Sequence, residues 1–143
     1  FGGRIGRPHV DPDTARLADA RRALGFSTQD PRLLRCALTD PGWCNEARTA
    51  PWVEPWPGNR ALAETGQARI EARGWDLGAA ARRADTLGVW HHLWLAAGQR
   101  HLSGPGRDRV IARALAALVG ALVQDHDDDD TRATPAIDAL LGS

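Results

Sequence analysis

The stretch from about Asp108 to Gln124 constrains this chain more than any other. Val110, Ile111, Ala114, Leu115, Ala117, Leu118, Ala121 and Leu122 cover well over half the circumference of a helix drawn over it. A helix apolar nearly all round belongs in the centre of a bundle. The rest of the chain must then supply a shell of helices, and its start and stop signals predict one. Asp11-Pro12 reads as an N-cap followed by proline at the first helical position, with Gly25 closing that helix. Asp30-Pro31 repeats the signal ahead of Leu33, Leu34, Ala37 and Leu38, which share one helical face. Asn59 and Asp76 each read as an N-cap, the second for a helix that runs to Leu87 and stops at Gly88. Gly104-Pro105-Gly106 reads as a turn before the apolar helix. Thr134-Pro135 reads as the start of a last helix ending at Leu141. The Pro- and Trp-rich stretch from Pro41 to Gly58 reads as a loop, and Val89 to Ala97 as a short apolar segment. No segment alternates with a strand period, and no internal repeat is present. The expectation is one all-α domain over residues 11–143, preceded by a tail at 1–10.

Charge and cysteine content narrow the function classes. The net charge is zero, with 18 basic residues, all of them Arg, against 18 acidic ones. Nucleic-acid binding usually draws on a basic excess that displaces counterions, and the chain as a whole has none. No apolar run reaches membrane-spanning length, so no membrane partner is expected. Phe1-Gly2-Gly3-Arg4 lacks the apolar core of a secretion signal. Cys36 and Cys44 do not have metal-site spacing and read as reduced packing residues, which fits a cytoplasmic protein. Six Trp beside two Phe and no Tyr suggest a Trp-rich core or a Trp-lined pocket.

Three segments, in this order, carry a resemblance. The first is Leu24-Gly25-Phe26, then Asp30 to Leu34, then Ala37-Leu38-Thr39, then Asn45-Glu46. The second runs from Asn59 to Ala68, Asn-Arg-Ala-Leu-Ala-Glu-Thr-Gly-Gln-Ala. The third runs from Ile111 to Leu122. Together they resemble the ribonuclease III catalytic domain, whose signature helix reads NERLEFLGDA and whose central helix reads ILADALEALIGALY. The resemblance spans roughly residues 14–126. It implies a helical domain that pairs into a homodimer.

In that family, carboxylates on the signature and central helices converge on divalent metal ions, which activate water for attack on phosphorus. The matching positions here are Arg60, Ala63 and Gln67 on the signature helix, and Arg113 and Ala116 on the central one. None is a carboxylate, and Mg²⁺ requires oxygen ligands. Glu64 is present but stands about 100° round the helix from position 63. Between Gln67 and Asp76 the chain is also several helical turns shorter than the family. The expectation is an RNase III-like pseudo-nuclease with no metal and no cofactor.

Three functions remain open. In the first, the emptied site is a pocket for a small molecule, with Asp40, Glu64, His91 or His92 as acid–base groups and Gln67, Arg113, Arg60 and Trp43 as binding residues. Such groups suit proton-transfer chemistry such as condensation or cyclisation. The second is a module that binds structured RNA or a ribonucleoprotein without cutting it. The third is a structural partner of another protein. Each candidate also has a plainer reading. Asp40, where the family has the His of THxS, is otherwise a cap before Pro41. His91-His92 is otherwise a partly exposed pair beside Trp90 and Trp94. The acidic run Asp125 to Asp130 lacks EF-hand spacing and reads as a solvated loop. The first function predicts a pocket between signature and central helices, Arg113 paired to a carboxylate, and a Trp on the wall. Its rival has Trp43, Trp52 or Trp56 plugging that space.

Overall fold

The computed structural model describes residues 12–26, 28–50 and 56–142. The 1–10 tail, the cap at Asp11 and the plug residue Trp52 lie outside them. The described chain is all-α, as expected. Its helices are α1 (Pro12–Leu24), α2 (Pro31–Ala37), α3 (Pro41–Ala47), α4 (Arg60–Ala72), α5 (Leu77–Leu87), α6 (Gly104–Asp125) and α7 (Asp130–Leu141), with 3₁₀ turns at Val89–His92 and Ala97–His101.

Helix α6 is the axis of the fold. From Val110 to Val123 every residue is buried except Arg113. Helices α2, α4, α5 and α7 pack against it, α4 most extensively. Two glycines set how closely α4 approaches. A Cβ on Gly66 would stand 1.8 Å from the Ala116 carbonyl oxygen, and one on Gly120 would stand 1.9 Å from that of Leu62. The two backbones therefore touch, and nothing larger than hydrogen fits between them. As α4 advances from Leu62 to Gly66, its contact on α6 moves back from Gly120 to Ala116, so the helices run in opposite senses across the seam.

The caps explain most boundaries. Asp30 accepts a hydrogen bond from the Arg32 N–H, and Asp76 accepts one from the Ala79 N–H at 2.8 Å. Gly88 ends α5 in the left-handed region at φ 74°. Three boundaries differ from expectation. Pro41–Ala47 is a helix, not a loop, because Asp40-Pro41 is a third Asp-Pro start signal and the Asp40 carboxylate accepts from the Gly42 N–H. Helix α6 begins at Gly104, since Pro105 fits the first turn, where no N–H is needed. Helix α7 begins at Asp130, ahead of Thr134-Pro135. Asp129 caps it by accepting from the N–H groups of Thr131 and Arg132. The acidic run is thus built in: Asp125 also accepts from the Gln29 N–H at 3.0 Å, tying α6 to the turn before α2. Asn59 precedes α4 but makes no side-chain cap. Its Nδ2 donates to the Ala37 carbonyl at 3.1 Å and joins α4 to α2.

No described helix is long and apolar enough to cross a membrane.

Candidate functional site

Beside the Gly66–Gly120 seam the same two helices part into an open groove of about 780 Å³. Arg60, Ala63, Glu64, Gln67, Ala68 and Glu71 of α4 line it. They follow one another at alternating intervals of three and one, which is a single broad helical face. The opposite wall is Arg109, Ala112 and Arg113 of α6, and Asp76, Leu77 and Ala80 at the start of α5 close the end. Alanines form the floor and charged side chains the rim. Three arginines face three carboxylates, Glu64, Glu71 and Asp76, so the groove carries no net charge.

Arg113 stands at the one break in the buried stretch of α6 from Val110 to Val123. Its side chain is 42% exposed, and its Nη1 lies 3.5 Å from the Oδ1 of Asp40, which is 3% exposed. That distance makes a loose ion pair, and half of it faces water, so it adds little stability. Asp40 is held more firmly by others. Its Oδ2 accepts from the Gly42 N–H at 2.8 Å and from Gln99 Nε2 at 2.7 Å. Its own N–H donates to the Trp94 carbonyl at 3.0 Å. Asp40 therefore caps α3 and braces Arg113 from behind, and it does not line the groove.

The remaining expected residues fall in two places. Gln67 lies in the groove, where its Nε2 donates to Glu71 Oε1 at 3.1 Å. Glu64 lies there too. Its angular offset from Ala63 does not remove it, because the groove is wide enough to take both positions. His91 and His92 lie elsewhere, on the 3₁₀ turn that packs on α1. Burial lowers the His92 pKa, with His91 and Arg16 adding to the effect and Asp19 opposing it. Ala116 is fully buried, its backbone against Gly66, so that position is closed by packing.

The expected Trp wall is absent from the groove, and so are Trp43 and Trp56 as plugs. Those two rings pack on each other, centroids 4.2 Å apart, and Trp56 meets Trp94 edge-on at 5.7 Å. The Trp56 Nε1 donates to Thr39 Oγ1 at 2.6 Å, and the Arg35 guanidinium lies over the same ring. This cluster fastens the end of the Pro-rich segment to α2 and α3. Trp here is mortar between helices, not a ligand surface.

Three charged groove residues lie outside the expected set: Arg109, Glu71 and Asp76. Arg109 is one helical turn before Arg113, and Glu71 one turn after Gln67. Extending the face by that turn would have found both. Asp76 was seen as a cap, but its place in the groove depends on how α5 folds back. Among the described residues, no three His, Cys, Asp or Glu side chains group so as to hold a metal ion. The chain matches no protein-family model and no curated protein.

Proposed function

We propose that this chain is an RNase III-like domain that no longer performs metal-dependent RNA cleavage. It acts on a small molecule held in the groove between α4 and α6, through acid–base chemistry of the condensation or cyclisation type. One observation carries this reading. The two helices that resemble the family's metal-bearing pair leave an open groove on the side of Arg60, Ala63, Gln67 and Arg113, and that groove has neither collapsed nor been filled. Its volume lies within the range of small-molecule sites. The Gly66–Gly120 contact supports the resemblance, since each glycine belongs to one of the resembling segments.

Among the acid–base candidates, Glu64 is the group in position. It is exposed, lines the groove and has no ion pair among the described residues. The carboxylate oxygens of Asp40 are taken up by Gly42, Gln99 and Arg113, and the histidines lie off the groove. The balanced rim weighs against a bound RNA backbone, which favours a surplus of cations. A homodimer, implied by the resemblance, is part of the proposal.

Two measurements test it. Purified protein incubated with a double-stranded RNA oligomer and Mg²⁺ or Mn²⁺ should leave the RNA intact. Cleavage that co-purifies with the protein and needs the metal overturns the reading. Incubation with a pooled metabolite extract, followed by mass spectrometry, should show a compound consumed by the wild type and not by Glu64→Gln. Equal consumption by both sinks the assignment of Glu64.

A further inference from the structure

We infer that the groove recognises its small molecule by an oxyanion, a carboxylate or phosphate group held by Arg60, Arg109 and Arg113. This rests on the groove being the functional site, and it names the ligand class. Many arginines of this chain are committed to the fold. Arg16 donates to the Leu93 carbonyl and lies over Trp94, Arg83 donates to the Leu140 carbonyl, and Arg107 pairs with Asp85 at 2.7 Å. The three in the groove are not so engaged. The side chains of Arg60 and Arg109 make no hydrogen bond or ion pair among the described residues, and that of Arg113 has only its loose contact with Asp40.

The groove is neutral overall, but none of its carboxylates forms an ion pair with these three cations. Glu71 accepts from Gln67, and Asp76 caps α5. Glu64, one turn from Arg60, is not within ion-pair distance of any described cation. Three guanidinium groups thus border a small-residue floor on two facing helices. A guanidinium presents a planar fork of donors that matches the two oxygens of a carboxylate or phosphate. Arg109 and Arg113 are one helical turn apart, about 6 Å along the axis, which suits a compact anion. With Glu64 on the same rim, an oxyanion bound there would place its neighbouring atoms beside a proton acceptor.

The test is a titration of the ¹⁵N-labelled full chain with citrate and, separately, with pyrophosphate, at constant ionic strength set by chloride. The expected result is saturable shifts at Ala63, Ala68 and Ala112 with at least one of the two anions. Affinity should fall at least tenfold in Arg60→Ala/Arg109→Ala and stay unchanged in Arg48→Ala, a surface control just after α3. The two anions separate a carboxylate site from a phosphate site. Shifts that persist in the double variant overturn the inference, as does the absence of saturable shifts with both anions. If both anions fail but an uncharged compound perturbs the same alanines, the groove reading survives and the oxyanion falls. Saturation by double-stranded RNA at lower concentration than either anion overturns the inference in favour of nucleic acid.

Discussion

Helices α4 and α6 meet along two edges that could hardly differ more. At one edge Gly66 and Gly120 bring the backbones into contact, and Ala116 and Leu62 are sealed. At the other, Ala63, Ala68 and Ala112 are too short to reach across, and arginines and glutamates stand round a gap of about 780 Å³. Small residues do opposite things at the two edges. Where no side chain lies between the helices, glycine lets them close; where the helices diverge, alanine leaves the space open. Close approach at the seam fixes the width of the groove, so the first edge is the structural condition for the second.

The largest effect should come from the seam. In an ordinary helix interior Gly→Ala stabilises by about 1 kcal/mol. Gly66→Ala and Gly120→Ala should do the reverse, because each new Cβ would meet a carbonyl oxygen inside 2 Å. The expected loss is about 3 kcal/mol or more, at or beyond the usual range for overpacking. Urea denaturation of both variants measures it. A gain in stability at either site would mean that the helices are not in contact there, and the account of the groove would go with it.

Next come the two partners behind the groove, which should be unequal. Asp40→Ala removes an N-cap and leaves Gln99 without its acceptor, a loss of about 2 kcal/mol. Arg113→Ala removes a loose, half-exposed ion pair and should cost less than about 1 kcal/mol. Ligand binding should respond the other way, falling more in Arg113→Ala. Equal stability losses would show that the pair itself matters, not the cap.

The contrast between edges also shows what the sequence could and could not tell. The apolar girth of α6 was legible because it is periodic and local, and so were the caps at Asp30, Asp76 and Gly88. The helix at Pro41–Ala47 is hidden in the sequence although it opens on the same Asp-Pro signal as the segments at Asp11-Pro12 and Asp30-Pro31. Three tryptophans and repeated prolines masked it. The groove was legible in part, through positions 60, 63, 67 and 113. Its length was not, because Asp76 and Leu77 join it by the fold-back of α5, which no local pattern encodes. Nor was the fate of the tryptophans. Whether a Trp fills a cavity or staples two loops depends on where its partners lie, and Thr39, Arg35 and Trp94 come from distant parts of the chain.

A bulky side chain in the groove should sharpen the comparison further. Ala68 lines the groove and is exposed. Ala68→Trp should therefore change stability by no more than about 0.5 kcal/mol, as surface substitutions do, while it abolishes ligand binding. A large destabilisation would mean that the groove edge is packed like the seam.

The smallest effect concerns His92, which lies outside both edges. Burial lowers its folded-state pKa, so the native protein disfavours the imidazolium. The sign follows from linkage. Above the unfolded value, near 6.5, His92 is neutral in both states and contributes no penalty. As pH falls below that value, the unfolded chain takes up the proton first, and the native state loses stability until pH passes the lowered folded value. His92→Gln should flatten this slope between pH 7 and pH 5 in thermal unfolding curves. Arg16 and His91 oppose the charge on His92 and Asp19 favours it, so Asp19→Asn should steepen the slope in the wild-type background. No histidine lines the groove, and anion binding there should not follow the His92 titration between pH 6 and pH 7.5. If binding and stability instead rise and fall together, and His92→Gln flattens both, the histidine turn is coupled to the groove and the separation of the regions fails.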